Sequence, residues 1–455
     1  MSKIKIAFYT IGCKLNYAET STISRQFSNL IYQHVGHEDV ADIYVINNCS
    51  VTKNAENEFH YIIRTLMHKN EKAFVIAIGC YTQLNPKAIS YIKGVDLVLG
   101  YEAKCNITNY ISFPLSKRYP ATIISRKTYP LSKIYPYTII SRKTYTFFSS
   151  YSIGERTRSF LKIQDGCDYR CSYCIIPITR GPSRSDSLDN ILNKIKYIFN
   201  KGVKEIVLTG VNIGDYGKKI YGNYNRRSYT FFDLIQAIDE IKEKGRIRLS
   251  SIEPNLLKTE CIEFLSKSNH FVPHFHIPLQ SGSNYILGKM QRRYNIELYK
   301  DKIKYILHCD PDAYIGSDVI VGFPGETHQH FLETYWFLEK LNISSLHVFS
   351  YSNRPKTKSI NFHNDLSKKR KSQRNKILRH LSKTKYISFC ERQINKKKVV
   401  LVENNHFKRK YLYGYTENYI RTKILYNPIF QNTFQKVILM KIDPKDGMMI
   451  ATSIA

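Results

Sequence analysis

Apolar positions in the first hundred residues fall into three short continuous runs, KIKIAFYTIGC, ADIYVINNC and AFVIAIGC, separated by helix-like stretches such as NAENEFHYIIRTLMHKN. Runs of this length and β-branched content read as strands, so the segment predicts a βαβαβ unit around a doubly wound parallel sheet. From residue 151 the pattern becomes a regular alternation. Strand candidates RSFLKIQ, KEIVLTG, RIRLSSIE, HFHIPLQ, AYIGSDVIVGF and SSLHVFSY are separated by helix candidates that include NILNKIKYIFNK, FFDLIQAIDEIKEK and HFLETYWFLEKL. Six βα units predict an incomplete (βα)6 barrel of the triosephosphate-isomerase kind. The tail, KKVVLVENNHFKRKYLYGYTENYIRTKILY, alternates apolar residues with turn residues and predicts short antiparallel strands in a small β-barrel.

Between the first two regions lies a tandem repeat. PLSKRYPATIISRKTY (114–129) is followed at once by PLSKIYPYTIISRKTY (130–145), identical at 14 of 16 positions. Two copies are too few for a solenoid, so the repeat reads as a duplication tolerated in an exposed linker. The expected divisions are residues 1–112, a linker at 113–150, a barrel domain at 151–392 and a terminal module at 393–455.

The 455 residues are enough to bury two or three domains. No apolar run reaches the roughly 18 residues of a membrane span, and MSKIKIAFYTIGC lacks a signal-peptide pattern, so the expectation is a cytoplasmic chain with no membrane partner. The charge narrows this further. Lys and Arg number 69 against 37 Asp and Glu, a formal net of +32, which favours a polyanionic partner. Compositional bias toward lysine explains part of that excess. Placement says more: from Leu366 to Cys390 there is no acidic residue, and KKRKSQRNKILRH surrounds the apolar Ile377 and Leu381, which predicts an amphipathic basic helix. Lys369, Arg370 and Lys371 are its candidate phosphate contacts.

In a reducing compartment the ten cysteines are not a disulfide framework. Cys105, Cys261, Cys309 and Cys390 are scattered and read as packing residues. The other six cluster. Cys13, Cys49 and Cys80 each end one of the first three strand runs, and ligands of open parallel sheets sit beyond the carboxyl ends of the strands. Three residues more than 30 positions apart are thereby brought to one edge, as a three-cysteine site. Cys167, Cys171 and Cys174 are spaced CxxxCxxC in GCDYRCSYC, and the two intervals span at most about 14 and 10 Å of chain. That reach suits one small cluster. A structural zinc wants a fourth protein ligand, and no Cys or His follows nearby. Three thiolates on a 4Fe-4S cluster instead leave one iron open to a small molecule.

With Tyr173 before its last cysteine, CxxxCxxC resembles the signature of radical S-adenosylmethionine (SAM) enzymes. The wider set IGCKLNYAET, NNCSVT, GCYTQLNP, GCDYRCSYCIIPITRGPSRS, HFHIPLQSGSNYILGKMQRRY, DVIVGFPGET and HVFSYSNRPKT is similar to the methylthiotransferase family, and the tail resembles its RNA-binding TRAM module. The resemblance implies two 4Fe-4S clusters. One, on Cys167, Cys171 and Cys174, binds SAM at its open iron and releases a 5′-deoxyadenosyl radical. The other, on Cys13, Cys49 and Cys80, handles the sulfur that is methylated by a further SAM. Tyr173 would pack beside the cofactor. Gly210, Gly322 and Gly325 admit two readings, close backbone approach to SAM or plain tight turns. Within the family, KLN after Cys13, SSIEPNLL, FHIPLQSGS and HVFSYSNRP look most like enzymes that convert N6-threonylcarbamoyladenosine at position 37, beside the tRNA anticodon, to its 2-methylthio derivative. Expected partners are tRNA and an electron donor such as a flavodoxin or ferredoxin system, with no DNA. Glu253 and Asn255 are candidates for substrate contacts, or for helix capping and local ion pairing. His274, His276 and His347 read as core or rim residues. Alternatives are an isopentenyladenosine-specific enzyme, a ribosomal-protein methylthiotransferase and a non-catalytic RNA-binding iron-sulfur protein.

Overall fold

The computed structural model describes residues 3–111, 146–154, 156–218, 229–363, 366–403 and 410–454, together with the backbone of 121–123. Strands β1 (Ile4–Thr10), β2 (Tyr32–His34), β3 (Ile43–Asn48), β4 (Phe74–Gly79), β5 (Leu97–Leu99) and β6 (Ala121–Ile123) form one sheet in the order β2-β1-β3-β4-β5-β6. Every pair in it is parallel. The apolar runs are continuous because both faces are covered. Ala7, Tyr44, Ile46, Val75 and Ala77 pack on Phe59, Ile63 and Leu66 of α2 (Lys53–Lys69). On the other face Ile6, Ile43, Val45, Ile76 and Ile78 meet Ile23 and Phe27, at and just beyond the end of α1 (Lys14–Ser24). Two short helices, α3 (Cys80–Leu84) and α4 (Pro86–Ser90), follow β4.

The expected doubly wound sheet is present and wider than the hydrophobic pattern predicts. The short strands β2 and β5 carry too few residues to show a period. Within 113–150, the ATI of the first repeat copy pairs with β5 as β6. The rest of the duplication lies outside the described residues.

The second region is a parallel half-barrel. Strands β7 (Arg158–Lys162), β10 (Glu205–Thr209) and β11 (Arg246–Leu249) pair in the order β11-β10-β7, and β12 (His274–His276), β13 (Tyr314–Val321) and β14 (Ser345–Ser350) pair in sequence order. Bridges Ile247–Phe271 and Ser251–His276 join the two sheets. Among the described residues β7 and β14 do not pair, so the barrel is open between them. A two-residue hairpin, β8 (Gln164–Asp165) with β9 (Arg184–Ser185), brackets the cysteine loop and α5 (Ile176–Thr179). Helices α6 (Leu188–Asn200), α7 (Phe231–Asp239), α8 (Thr259–Lys267), α9 (Asn284–Lys289), α10 (Ile296–Cys309) and α11 (His328–Lys340) form the outer layer. Outward residues such as Leu161, Ile206, Leu208, Ile247, Ile315 and Val319 build the main core against this layer, with Cys261 among them.

Alternation along the strands turns the intervening residues inward. There α1 of the first domain closes one side, with Ala18 against Phe160 and Val207. The two domains are locked by charge. Glu19 of α1 pairs with Lys104 (2.6 Å), Lys162 (2.8 Å) and Arg180 (3.1 Å). Asp165 pairs with Arg180 (3.0 Å), Lys162 (3.1 Å) and Arg184 (3.2 Å) and accepts a hydrogen bond from Tyr101. All of these groups are buried.

Helix α12 (Lys368–Glu391) leads to a closed five-stranded barrel of β15 (Lys397–Val402), β16 (Tyr411–Thr416), β17 (Arg421–Leu425), β18 (Phe434–Ile442) and β19 (Met449–Ser453). The β17–β19 pair is parallel and the others antiparallel. Tyr314, Phe389 and Cys390 extend its core, and Arg158–Glu403 (2.9 Å) and Asp312–Lys396 (2.6 Å) tie it to the amino-terminal ends of the half-barrel strands. In α12 the basic helix is real, and of its two expected apolar residues one faces inward. Ile377 is 45% exposed, while Leu378 and Leu381 are buried. Leu378 shares a helix face with Leu381 and with Arg374, one turn earlier, which pairs with Glu326 at 2.9 Å.

Candidate active site

Cys13, Cys49 and Cys80 follow three adjacent strands, β1, β3 and β4. The residues around them explain how the ends converge. Gly12 and Gly79 take φ of 105° and 110°, a region that glycine enters without a steric cost. A Cβ at Gly12 would lie 2.9 Å from Cys49 Sγ, and one at Gly79 only 2.3 Å from the Asn48 carbonyl oxygen. Asn16 Nδ2 donates to the carbonyls of Ile11 (2.9 Å) and Asn48 (3.0 Å), and Asn48 Nδ2 donates to Thr82 Oγ1 (2.7 Å). The asparagines and threonine of IGCKLN, NNC and GCYT are thus the staples of the turn. Cys49 and Cys80 are buried and Cys13 is exposed. Burial, then the charges of Cys80 and Cys13, push the Cys49 thiol up to about 12. Arg180 reaches this site from the half-barrel, its guanidinium donating to Asn16 Oδ1 at 2.6 Å.

The CxxxCxxC loop is pinned along its length. Cys167 N–H donates to Gly181 O (3.0 Å), Ser172 N–H to Met290 O (3.0 Å), and Ser359 N–H to Ser172 O (2.8 Å). Burial pushes the Cys167 and Cys174 thiols up to about 12, so iron binding must displace these protons, as coordination does to a thiol. Arg292 donates to Cys171 Sγ at 3.2 Å and is paired with Glu253. QRRY carries this cation in the sequence, but nothing in a linear pattern pairs it with a thiol 121 positions away. Tyr173 packs edge-on to Phe323, with ring centroids 6.2 Å apart, in an apolar cluster with Ile286, Met290 and Tyr351.

Glu253 and Asn255 face the cysteine loop. The first is held by Arg292, and Asn255 Nδ2 donates to Tyr169 at 2.7 Å. Gly322 and Gly325 sit at φ 75° and 85°, where turn geometry demands glycine, and Glu326 fixes their loop by accepting from the Phe323 amide (3.2 Å). A Cβ on Gly322 would meet Lys371 Cγ at 2.5 Å. Lys371 is accordingly half-buried, its ammonium 5.5 Å from the Tyr351 ring centroid, whereas Lys369 and Arg370 are exposed. Gly210 makes room for the chain's own Gln164, whose Oε1 would be 2.9 Å from a Cβ there.

Beside the loop is a group of polar residues of which only Asn255 stands out in the linear pattern. Thr209 Oγ1, Asn212 Nδ2 and Oδ1, Ser250 Oγ and Asn255 Oδ1 are buried and unpartnered at the carboxyl ends of β10 and β11. Each orphan costs about 1–3 kcal/mol unless a ligand pairs with it. Hydroxyl and amide groups of this kind fit the hydroxyl, amino and ring-nitrogen groups of a nucleoside cofactor. Deeper in the lumen, Asp318 on β13 accepts from His276 Nε2 (2.8 Å) and lies 3.3 Å from His347 Nδ1. Burial alone would raise the Asp318 carboxyl, but both imidazoles outweigh it and hold it well below the usual range. His276 is partly buried and His347 exposed, and the two imidazoles face each other across Asp318. Among the described residues this is the one set of His, Cys, Asp or Glu groups close enough to share a single metal ion. His274 is buried and stacks on Tyr314, as a core residue would.

An open parallel barrel with a three-thiol loop beyond its first strand and orphaned polar groups beside it defines a radical-SAM enzyme. The radical SAM superfamily model matches residues 161–338, and the model described as uncharacterized protein family UPF0004 matches residues 5–100. A threonylcarbamoyladenosine tRNA methylthiotransferase of Aquifex aeolicus is 35% identical over 92% of this chain and 96% of its own. A tRNA-2-methylthio-N(6)-dimethylallyladenosine synthase of Buchnera aphidicola is 31% identical over 89% of this chain and 91% of its own. The radical SAM methyltransferase TsrM of Kitasatospora setae superposes with a TM-score of 0.52 at 12% identity, covering 79% of this chain and 74% of its own, which speaks to fold alone. The chain belongs to the radical-SAM tRNA methylthiotransferase family. It is an enzyme that uses SAM and a 4Fe-4S cluster.

Proposed function

We propose that this enzyme installs a methylthio group at C2 of N6-threonylcarbamoyladenosine at position 37 of tRNA, using a second 4Fe-4S cluster on Cys13, Cys49 and Cys80. One observation carries the reading: Arg180, rooted in the cysteine-loop hairpin, enters the strand-end site through Asn16 while paired to Glu19 and Asp165. The two three-cysteine sites are thus parts of one interlocked machine. The nucleoside follows the near-full-length likeness to the Aquifex aeolicus enzyme.

When bound, SAM and the clusters supply reductive radical chemistry and sulfur for an unactivated C–H bond. This chain's residues do the rest. Arg292 sets a cation against the Cys171 thiolate. Arg180 does the same for the strand-end thiols, which counters the cost of burying negative charge. The orphaned Thr209, Asn212, Ser250 and Asn255 groups hold the nucleoside end of SAM, and α1 closes one side of the lumen through Ala18. Electrons come from a flavodoxin or ferredoxin system. Among the described residues no helix is long and apolar enough to cross a membrane.

Nucleoside mass spectrometry of tRNA from cells with and without the gene tests this. The 2-methylthio-threonylcarbamoyl nucleoside is expected to vanish on deletion. Loss of the 2-methylthio-isopentenyl nucleoside instead would overturn the substrate assignment.

The exposed face of α12 is the tRNA contact. Lys369 and Arg370 have no acidic partner among the described residues, whereas Lys371 is spent on the Gly322 turn. Reversing both charges with glutamate is expected to flatten the log–log salt dependence of tRNA binding by about 0.7–0.9 for each phosphate no longer neutralised. Unchanged affinity and slope would make α12 a solvated face only.

A further inference from the structure

His276, Asp318 and His347 stand on three neighbouring strands, β12, β13 and β14, and share the lumen wall of the half-barrel. Register and alternation place them there. Asp318 lies directly opposite His347, and His276 lies opposite Gly316, two residues before Asp318 and so on the same face of β13. The intervening Phe275, Ile277, Val319 and Val348 turn the other way, into the core beneath the outer helices.

Asp318 differs from the other carboxylates around the lumen. Glu205 is paired with Arg248, Glu253 with Arg292, Glu326 with Arg374 and Asp165 with Arg180. Among the described residues no Lys or Arg forms an ion pair with Asp318, whose ionisable partners are the two imidazoles. Two imidazoles balance its charge only by taking up protons, whereas a divalent cation bound to all three groups balances it with both rings neutral.

The spacing suits such an ion. Asp318 Oδ1 lies 2.8 Å from His276 Nε2 and 3.3 Å from His347 Nδ1, and the two ring centroids are 5.0 Å apart. A metal about 2.0–2.2 Å from each of three donors sets neighbouring donors about 3 Å apart. Two imidazoles and one carboxylate select zinc or ferrous iron over magnesium and calcium, which prefer shells of oxygen. Strands hold such donors more precisely than loops do. No cysteine joins the set, so it is distinct from both thiol sites. The His347 side chain is 60% exposed, which gives an ion its path of entry.

We propose that His276, Asp318 and His347 form a mononuclear site for a divalent transition-metal ion, whose open positions take an oxygen ligand from solvent or from the molecule bound in the lumen. Three protein donors leave a four-coordinate ion one such position, as in sites where a metal holds and polarises an oxygen.

The test uses the full-length enzyme with its iron-sulfur clusters reconstituted anaerobically, so that iron occupies the cluster thiols, and zinc as the probe. After equilibrium dialysis against zinc, both metals are counted on the same samples by plasma mass spectrometry. Wild type is expected to keep about one zinc per chain. His347→Ala and Asp318→Asn are expected to lose it while their iron stays at the wild-type amount, which shows that chain and clusters are intact. A zinc-edge X-ray absorption spectrum of the wild-type sample should show nitrogen and oxygen neighbours at about 2.0–2.2 Å and no sulfur at about 2.3 Å. That spectrum needs no variant, so it is decisive even where a substitution disturbs folding. Wild type without stoichiometric zinc, zinc kept equally by both variants, or sulfur in the shell would overturn the proposal and leave the three residues as a hydrogen-bonded prop of the lumen wall.

Discussion

Replacing Cys167, Cys171 and Cys174 together with alanine is expected to abolish 5′-deoxyadenosine formation and tRNA modification alike, whereas the same change at Cys13, Cys49 and Cys80 removes only the modified nucleoside. The asymmetry follows from where the thiols sit. The first three belong to one loop pinned to Gly181, Met290 and Ser359 beside the orphaned polar groups of β10 and β11, so without them SAM has no open iron to meet. The second three stand at the ends of β1, β3 and β4 in another domain, held by Asn16 and Asn48, and the loop remains intact without them. Anaerobic reconstitution should give about four irons in either triple variant and about eight in the parent, for two complete cubanes. Iron, 5′-deoxyadenosine and modified nucleoside are measured on the same preparations. Full product from the strand-end variant would sink the two-cluster assignment and leave those cysteines as packing residues.

Glu19→Gln is expected to be the most damaging single substitution away from the cysteines. Glu19 is fully buried and receives Lys104, Lys162 and Arg180 together. Removing its charge leaves buried Lys104 without a carboxylate and leaves Lys162 and Arg180 to Asp165 alone, and breaking a buried pair in this way costs about 3–5 kcal/mol. Burial by itself would raise the Glu19 carboxyl, but Arg180 first, then Lys104 and Lys162, outweigh it and hold it well below the usual carboxylate range. Burial would likewise raise Asp165, and Lys162, Arg180 and Arg184 depress it instead. A depressed carboxyl stabilises the fold fully above the unfolded-chain value near pH 4 and loses that contribution as pH falls through its folded value. Urea midpoints should therefore decline steeply below about pH 5 in wild type and less steeply in Glu19→Gln, which has already lost part of the effect. A midpoint equal to wild type at pH 7 would show that the seam does not hold the domains together.

Much of this architecture is written in local pattern. Buried parallel strands need continuous apolar runs, barrel helices need a 3.6-residue period, and a cluster loop needs closely spaced thiols, so these are readable from residues near in sequence. The glycines before Cys13 and Cys80 belong to the same class, since positive φ is a property of one residue. Other features depend on which surfaces meet. Strand β6 exists because the edge of β5 is free to pair it, although its three residues have no period of their own. Leu378 faces inward and Ile377 does not, because the helix face that meets the half-barrel is the one that carries Arg374, Leu378 and Leu381. The histidines of β12 and β14 join through Asp318 of the strand between them. Arg180 shows the limit most clearly: in the sequence it is one of 69 basic residues. Packing alone gives Arg180 a carboxylate 161 positions away, because the worth of a charge is set by its burial and its neighbours, and those are fixed only when the two domains close on each other.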